Sequence, residues 1–181
     1  MNDDDLFYER YIEPFEARML RAVRRVVRDP DLARDALQDA VVRLWQHRDR
    51  VRRHPNPEAL ALRVGLHSAI DVVRRGLRRR ETGDVVLETR PAGPGRGPSE
   101  SLERREQYEA VVGAIARLPR QQALAVLMRV VEEQSYAAVA RALGCREITA
   151  RIHVMRGRSR LRRVLAPLAP ERARIAIGGG E

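Results

Sequence analysis

Eight arginines crowd residues 134–166, at 141, 146, 151, 156, 158, 160, 162 and 163, against the single acid Glu147, a net of +7. Guanidinium groups grip phosphate oxygens, so the chemistry suits a polyanion such as nucleic acid. Thr149, Arg151, His153 and Arg156 share the polar face of the helix that this segment predicts, and Arg146 lies just before it. A second helical face carries Arg63, His67, Asp71, Arg74, Arg75 and Arg78. A third set has the opposite sign. Asp35, Gln38 and Asp39 lie one turn apart, with Arg43 following, on a chain whose net charge is +10. On spacing alone, ordinary helix solubility with Arg34 and Arg43 as i+4 partners is the better account of that acidic patch.

These residues offer little for catalysis. The four histidines, 47, 54, 67 and 153, share no metal-ligand spacing with a carboxylate or the cysteine. Asp35 and Asp39 lack a third convergent acid, and no glycine loop cradles a phosphate. The expectation is no catalytic residue, no metal and no cofactor. Cys145, the only cysteine, excludes an internal disulfide and fits a small apolar residue under a turn. All 35 basic residues are arginine, a bias that weakens any argument from charge alone and leaves spacing to carry it.

The elements that position these groups are legible as helices. Ser135 caps a helix whose inner face is Val139, Ala140 and Leu143; Gly144 ends it, and helical period resumes near Glu147 with Cys145, Ala150, Val154 and Leu161 inside. Asp29-Pro30-Asp31 starts a helix that buries Ala33, Leu37, Ala40, Val41 and Leu44, with Trp45 near its end. Before it, Phe7, Tyr11, Phe15, Met19 and Val23 form one face of a single first helix. A polar loop at 47–57 leads to a helix from Pro57 or Glu58, with Leu60, Val64, Ile70, Val73 and Leu77 inside. Further helices run from Ser99 or Ser101 to the break at Leu118-Pro119, and from Arg120 to about Glu132. Between the two halves, 83–98 holds seven Gly and Pro and cannot supply a core. Only VVL at 85–87 looks strand-like. The predicted fold is all-α: two small helical modules, 1–82 and 99–166, joined by a flexible linker at 83–98 and followed by a tail at 167–181. No apolar run approaches the ~20 residues of a membrane span, and the start, MNDDDLFYER, is acidic, so a cytoplasmic protein with no membrane partner is expected.

Five segments in this order resemble the extracytoplasmic-function sigma factors of the sigma-70 family. They are DPDLARDALQDAVVRLW (29–45), LALRVGLHSAIDVVRR (60–75), LPRQQ (118–122), SYAAVARALG (135–144) and RGRSRLR (156–162). The resemblance implies a transcription initiation factor that directs core RNA polymerase to promoter DNA, without chemistry of its own. It implies that Asp35, Gln38, Asp39 and Arg43 dock on the polymerase. It implies that Arg63, His67 and Asp71 approach bases of a −10-type element while Arg74, Arg75 and Arg78 meet phosphates, and that Arg146, Thr149, Arg151, His153 and Arg156 contact a −35-type element. An anti-sigma partner is implied too, and the chain is expected to act as a monomer. This sequence departs from the family pattern at Leu60, where tryptophan is usual, at His67 for asparagine, at Ile148 for glycine, at Ala123 for arginine, and at Arg151, His153 and Met155 for lysine, arginine and histidine. Aromatics are absent between Trp45 and Tyr108, which leaves base capture to His54, His67 or a pocket at 47–57. The alternative is a stand-alone helix-turn-helix regulator, usually a dimer on two half-sites.

Overall fold

The computed structural model describes residues 3–83 and 102–168, and among these all regular structure is helical. The linker beyond Gly83, the VVL segment, the start expected at Ser99 or Ser101 and the tail beyond 168 lie outside the described residues. The single first helix expected from Phe7 to Val23 is two, α1 (Asp3–Tyr11) and α2 (Glu13–Arg24). Pro14 lies in the first turn of α2, where its missing N–H costs nothing, and the chain turns there. Phe7 still anchors the face, stacked on Tyr11 at 5.4 Å and edge-on to Trp45 at 5.5 Å.

Helix α3 (Pro30–Gln46) starts where the sequence places it: the Asp29 carboxylate accepts from the N–H groups of Asp31 (3.0 Å) and Leu32 (2.9 Å). The polar loop that follows contains a short helix, α4 (Arg48–Arg52), which inserts Val51 into the core. Asn56 then caps α5 (Pro57–Thr82) by accepting from Ala59 N–H at 3.0 Å. The second half comprises α6 (Leu102–Arg117), α7 (Arg120–Val126) running into a π-helical turn (Leu127–Val131), α8 (Tyr136–Leu143) and α9 (Glu147–Leu165).

Helix α5 is the centre of the molecule. Ala59 to Leu62, Gly65, Leu66 and Ser68 to Ile70 are all buried, more than one face can hold, so α5 packs on α2 and α3 and also against α6 and α8. One apolar cluster closes inside the first module around Phe7, Ile12, Met19, Leu44 and Val51. The other is continuous from Val23, Leu66 and Ile70 into Ile115, Leu124, Met128, Val139 and Val154. Part of the apolar stripe of the first half thus joins that of the second in one cluster, and the rest closes on itself.

Polar contacts reinforce the junction at helix C-termini, where carbonyls lack intrahelical donors and the dipole is negative. Arg74 donates to the Ala116 and Leu118 carbonyls (2.8 and 2.9 Å) at the end of α6. Arg25 donates to the Val131 carbonyl (2.7 Å) at the end of the π turn, and His54 Nε2 lies 3.1 Å from the Arg141 carbonyl in the last turn of α8. No helix among the described residues is long and apolar enough to cross a membrane.

Candidate nucleic-acid interface

The helix-turn-helix forms as its local signals dictate. Ser135 Oγ accepts from Ala138 N–H (3.1 Å), and Gly144 takes the left-handed conformation, φ 67°, that ends α8. Cys145 packs half-buried against the core, which pushes its thiol pKa up. Helix α9 buries Ala150, Val154 and Gly157 against α7 and α8. Gly157 was not singled out by sequence, although a glycine inside a helical pattern is itself a signal of close approach. A Cβ there would lie 2.6 Å from Val126 Cγ2 and 3.3 Å from the Gln122 carbonyl oxygen.

The outer surface of α9 divides into roles. Arg146 and Arg156 are exposed and have no ion-pair partner among the described residues. Arg151 is already engaged: it donates to Glu147 (2.7 Å) and its guanidinium lies over the Tyr136 ring at 4.3 Å. Thr149 and His153 sit half-buried toward the turn, and His153 Nδ1 is enclosed without a hydrogen-bond partner.

On α5 the six expected residues separate into two groups. Arg75 and Arg78 are exposed and have no ion-pair partner among the described residues. His67, Asp71 and Arg74 are held by neighbours, and Arg63 is half-buried. Asp71, only 19% exposed, is ringed by Arg43 (3.4 Å), His67 Nε2 (3.7 Å) and Arg120 of the second half (3.6 Å). Arg43 Nη1 lies 2.8 Å from His67 Nδ1, and because a guanidinium only donates, Nδ1 must accept and the ring proton sits on Nε2, facing Asp71. Burial is the main cause that lowers the His67 pKa; Asp71 opposes it, and Arg120, Arg43 and Arg63 add to it. Burial, then Arg50, also lowers the pKa of Arg63, whose Nε has no partner. Sequence gave no hint of Arg120, since its contact with Asp71 crosses the two halves.

Helix α3 presents Asp35, Gln38 and Asp39 outward together, and neither carboxylate is paired with a described residue. The i+4 partners allowed by spacing do not form. Arg34 turns to Asp31 (3.4 Å), and Arg43 turns across to α5, away from the acids. Leu32 and Val42, 38% and 53% exposed, bracket the acids on the same face, a pairing of apolar and acidic groups that sequence reasoning passed over. His54, considered for base capture, lies with Nδ1 2.8 Å from the Asn56 carbonyl and Nε2 on the second half.

Residues 11–80 match the family model for sigma-70 region 2, and residues 108–161 match that for sigma-70, region 4. No curated protein matches the sequence closely enough to count as a relative. Among solved structures, the chain is similar to one in the co-crystal structure of the sigma factor RpoE in complex with the anti-sigma factor NepR from Bartonella quintana, at 21% identity and a TM-score of 0.53, covering 87% of this chain and 96% of that one. That likeness speaks for the fold. The two matched regions follow one another in order and contain the acidic face of α3, the cations of α5 and the helix-turn-helix; the chain belongs to the sigma-70 family, in its extracytoplasmic-function form.

Proposed function

We propose that α3 is the polymerase-docking face of this sigma factor, with Asp35, Gln38 and Asp39 at its centre and Leu32 and Val42 at its margins. The observation that carries the reading is the pair of outward, unpaired carboxylates on a strongly basic chain. Such a face complements a basic partner, and its apolar margins supply the desolvation that gives charge pairs their strength. Arg43 acts from behind, positioning His67 and Asp71 rather than meeting the polymerase. Helix α5 serves the −10-type element: Arg75 and Arg78 lie ready for phosphates, Arg63 lies half-buried on the same helix, and His67, Asp71 and Arg74 come into play once the second half moves off them. Helix α9 serves the −35-type element, with Arg146 and Arg156 free for DNA and Arg151 fixed at one flank. Specificity and strand separation are then supplied by binding energy alone, with one copy of the chain per polymerase, in the cytoplasm beside it. The anti-sigma complex of RpoE supports a similar inhibitor here, which would find both halves already gathered. A stand-alone regulator is not favoured, because region 2 with its acidic face has no task in operator binding.

Replacing Asp35 and Asp39 by Lys tests the dock. Reversal across a partly desolvated pair costs about 2–5 kcal/mol, so co-purification with core polymerase should be lost while the circular dichroism spectrum stays helical. Undiminished core affinity in the folded double variant would remove α3 from the interface.

A further inference from the structure

The outermost line of α9 is not basic. Ile148 and Met155 are 61% and 62% exposed, and the helical period places them, with the half-buried Ile152 between, opposite the buried Ala150, Val154 and Gly157. Single exposed apolar residues are common and mean nothing by themselves. Here three share one line, on a helix whose flanks carry exposed Arg156 on one side and exposed Arg151 and Arg158 on the other. Between Ile148 and Met155 the cation nearest that line is Arg151, tied to Glu147 and stacked on Tyr136 and so held at the flank; Arg162 joins the line only a further two turns on. Among the described residues the main packing partners of α9 are α6, α7 and α8, all of the second half. The charges at the sides fix what occupies the face: a groove with phosphates along both walls and an apolar group on its floor. In the B-DNA major groove the only apolar group that a base edge offers is the C5-methyl of thymine.

We propose that Ile148 and Met155 read thymine methyl groups in the −35-type element, making this helix specific for T·A pairs at two positions; the proposal rests on the promoter-binding reading of α9. The two residues are seven apart, about 10 Å along the axis at 1.5 Å per residue, so the two base pairs should lie about three steps apart at 3.4 Å each. Arg146 and Arg156 supply affinity that is indifferent to sequence, and the apolar line supplies the choice.

Reconstituted holoenzyme is used to select duplexes from random DNA, and each thymine of the selected upstream element is then replaced by uracil, which lacks only the methyl. The selection should return thymine, on either strand, at two positions about three apart. Each replacement should weaken binding about fourfold, the value of one buried methyl-sized group. Met155→Ala should abolish the methyl dependence at one position and Ile148→Ala at the other, while Met155→Leu retains it. Both side chains are largely exposed, so these variants keep the fold, and unchanged selection of the downstream element confirms it. A selected upstream element with G·C at both positions, or one indifferent to thymine methyls, overturns the proposal and leaves promoter binding intact. Failure to select any upstream element overturns the promoter-binding reading of α9 and this proposal with it.

Discussion

His67 is approached by charged groups from three helices: Arg43 on α3, Asp71 and Arg63 on α5, and Arg120 on α7. A proton added to its ring would face three cations and one carboxylate, in a site that burial has already made unfavourable to charge. The folded-state pKa therefore lies below its usual value near 6.5, and the unfolded chain binds the proton first. Stability from the neutral ring is present above about pH 6.5 and is lost as pH falls toward the folded value. His67→Asn keeps a carbonyl oxygen to accept from Arg43 and removes the titration. Between about pH 7.5 and about pH 5.5 the melting temperature of the wild type should fall further than that of His67→Asn. Equal losses in the two proteins would show that this ring does not control the acid limb.

Helix α9 can be set against α5 through their glycines. Alanine in place of glycine favours a helix interior by about 1 kcal/mol. At Gly76 of α5 nothing lies within 4 Å of an added Cβ, so Gly76→Ala should stabilise by about that amount. At Gly157 the added carbon meets Val126, whose branched side chain has little rotamer freedom, and overpacking costs about 1–3 kcal/mol. The penalty outweighs the propensity gain, and Gly157→Ala should lower the urea midpoint where Gly76→Ala raises it. A midpoint raised by both would mean that α7 and α9 are not in close contact. These elements also show what a sequence can disclose. The caps at Asp29 and Ser135, the stop at Gly144 and the start at Pro57 were legible because each depends on a few adjacent residues. The break at Pro14 was hidden by the regular spacing of Phe7, Tyr11 and Phe15, which continues across it, and α4 was hidden by the polarity of its segment. On the candidate site, residue types and faces were legible but partners were not. Arg43 sits four residues after Asp39 yet bonds to His67, 24 residues away, because the neighbouring helix offers a more enclosed acceptor.

The molecule as a whole is closed in a way that the proposed promoter binding cannot use. Elements at −35 and −10 lie about 25 base pairs apart, about 85 Å of B-form DNA at 3.4 Å per step. A compact chain of this length has a radius of gyration of about 16 Å. With α8 packed on α5, the promoter contacts proposed for α9 and α5 cannot be made together, and the Arg74 guanidinium proposed for a phosphate is occupied by the Ala116 and Leu118 carbonyls. The eighteen residues between Gly83 and Leu102 can reach about 60 Å when extended, enough with the modules' own dimensions to let them part. Opening must break the contacts of Arg74, Arg25 and His54 with helix ends and expose the apolar surface shared across the junction. Hydrogen bonds from charged donors contribute about 1.5–3 kcal/mol each, so Arg74→Ala should raise the open population about tenfold or more, and Arg25→Ala should add to it. Fluorophores on α3 and α9 of the full chain would report this as energy transfer: high in the free wild type, lower in Arg74→Ala, and lowest in the promoter complex with polymerase. High transfer that persists in that complex would show that both elements are engaged without opening, and low transfer in the free wild type would show that the junction holds nothing closed.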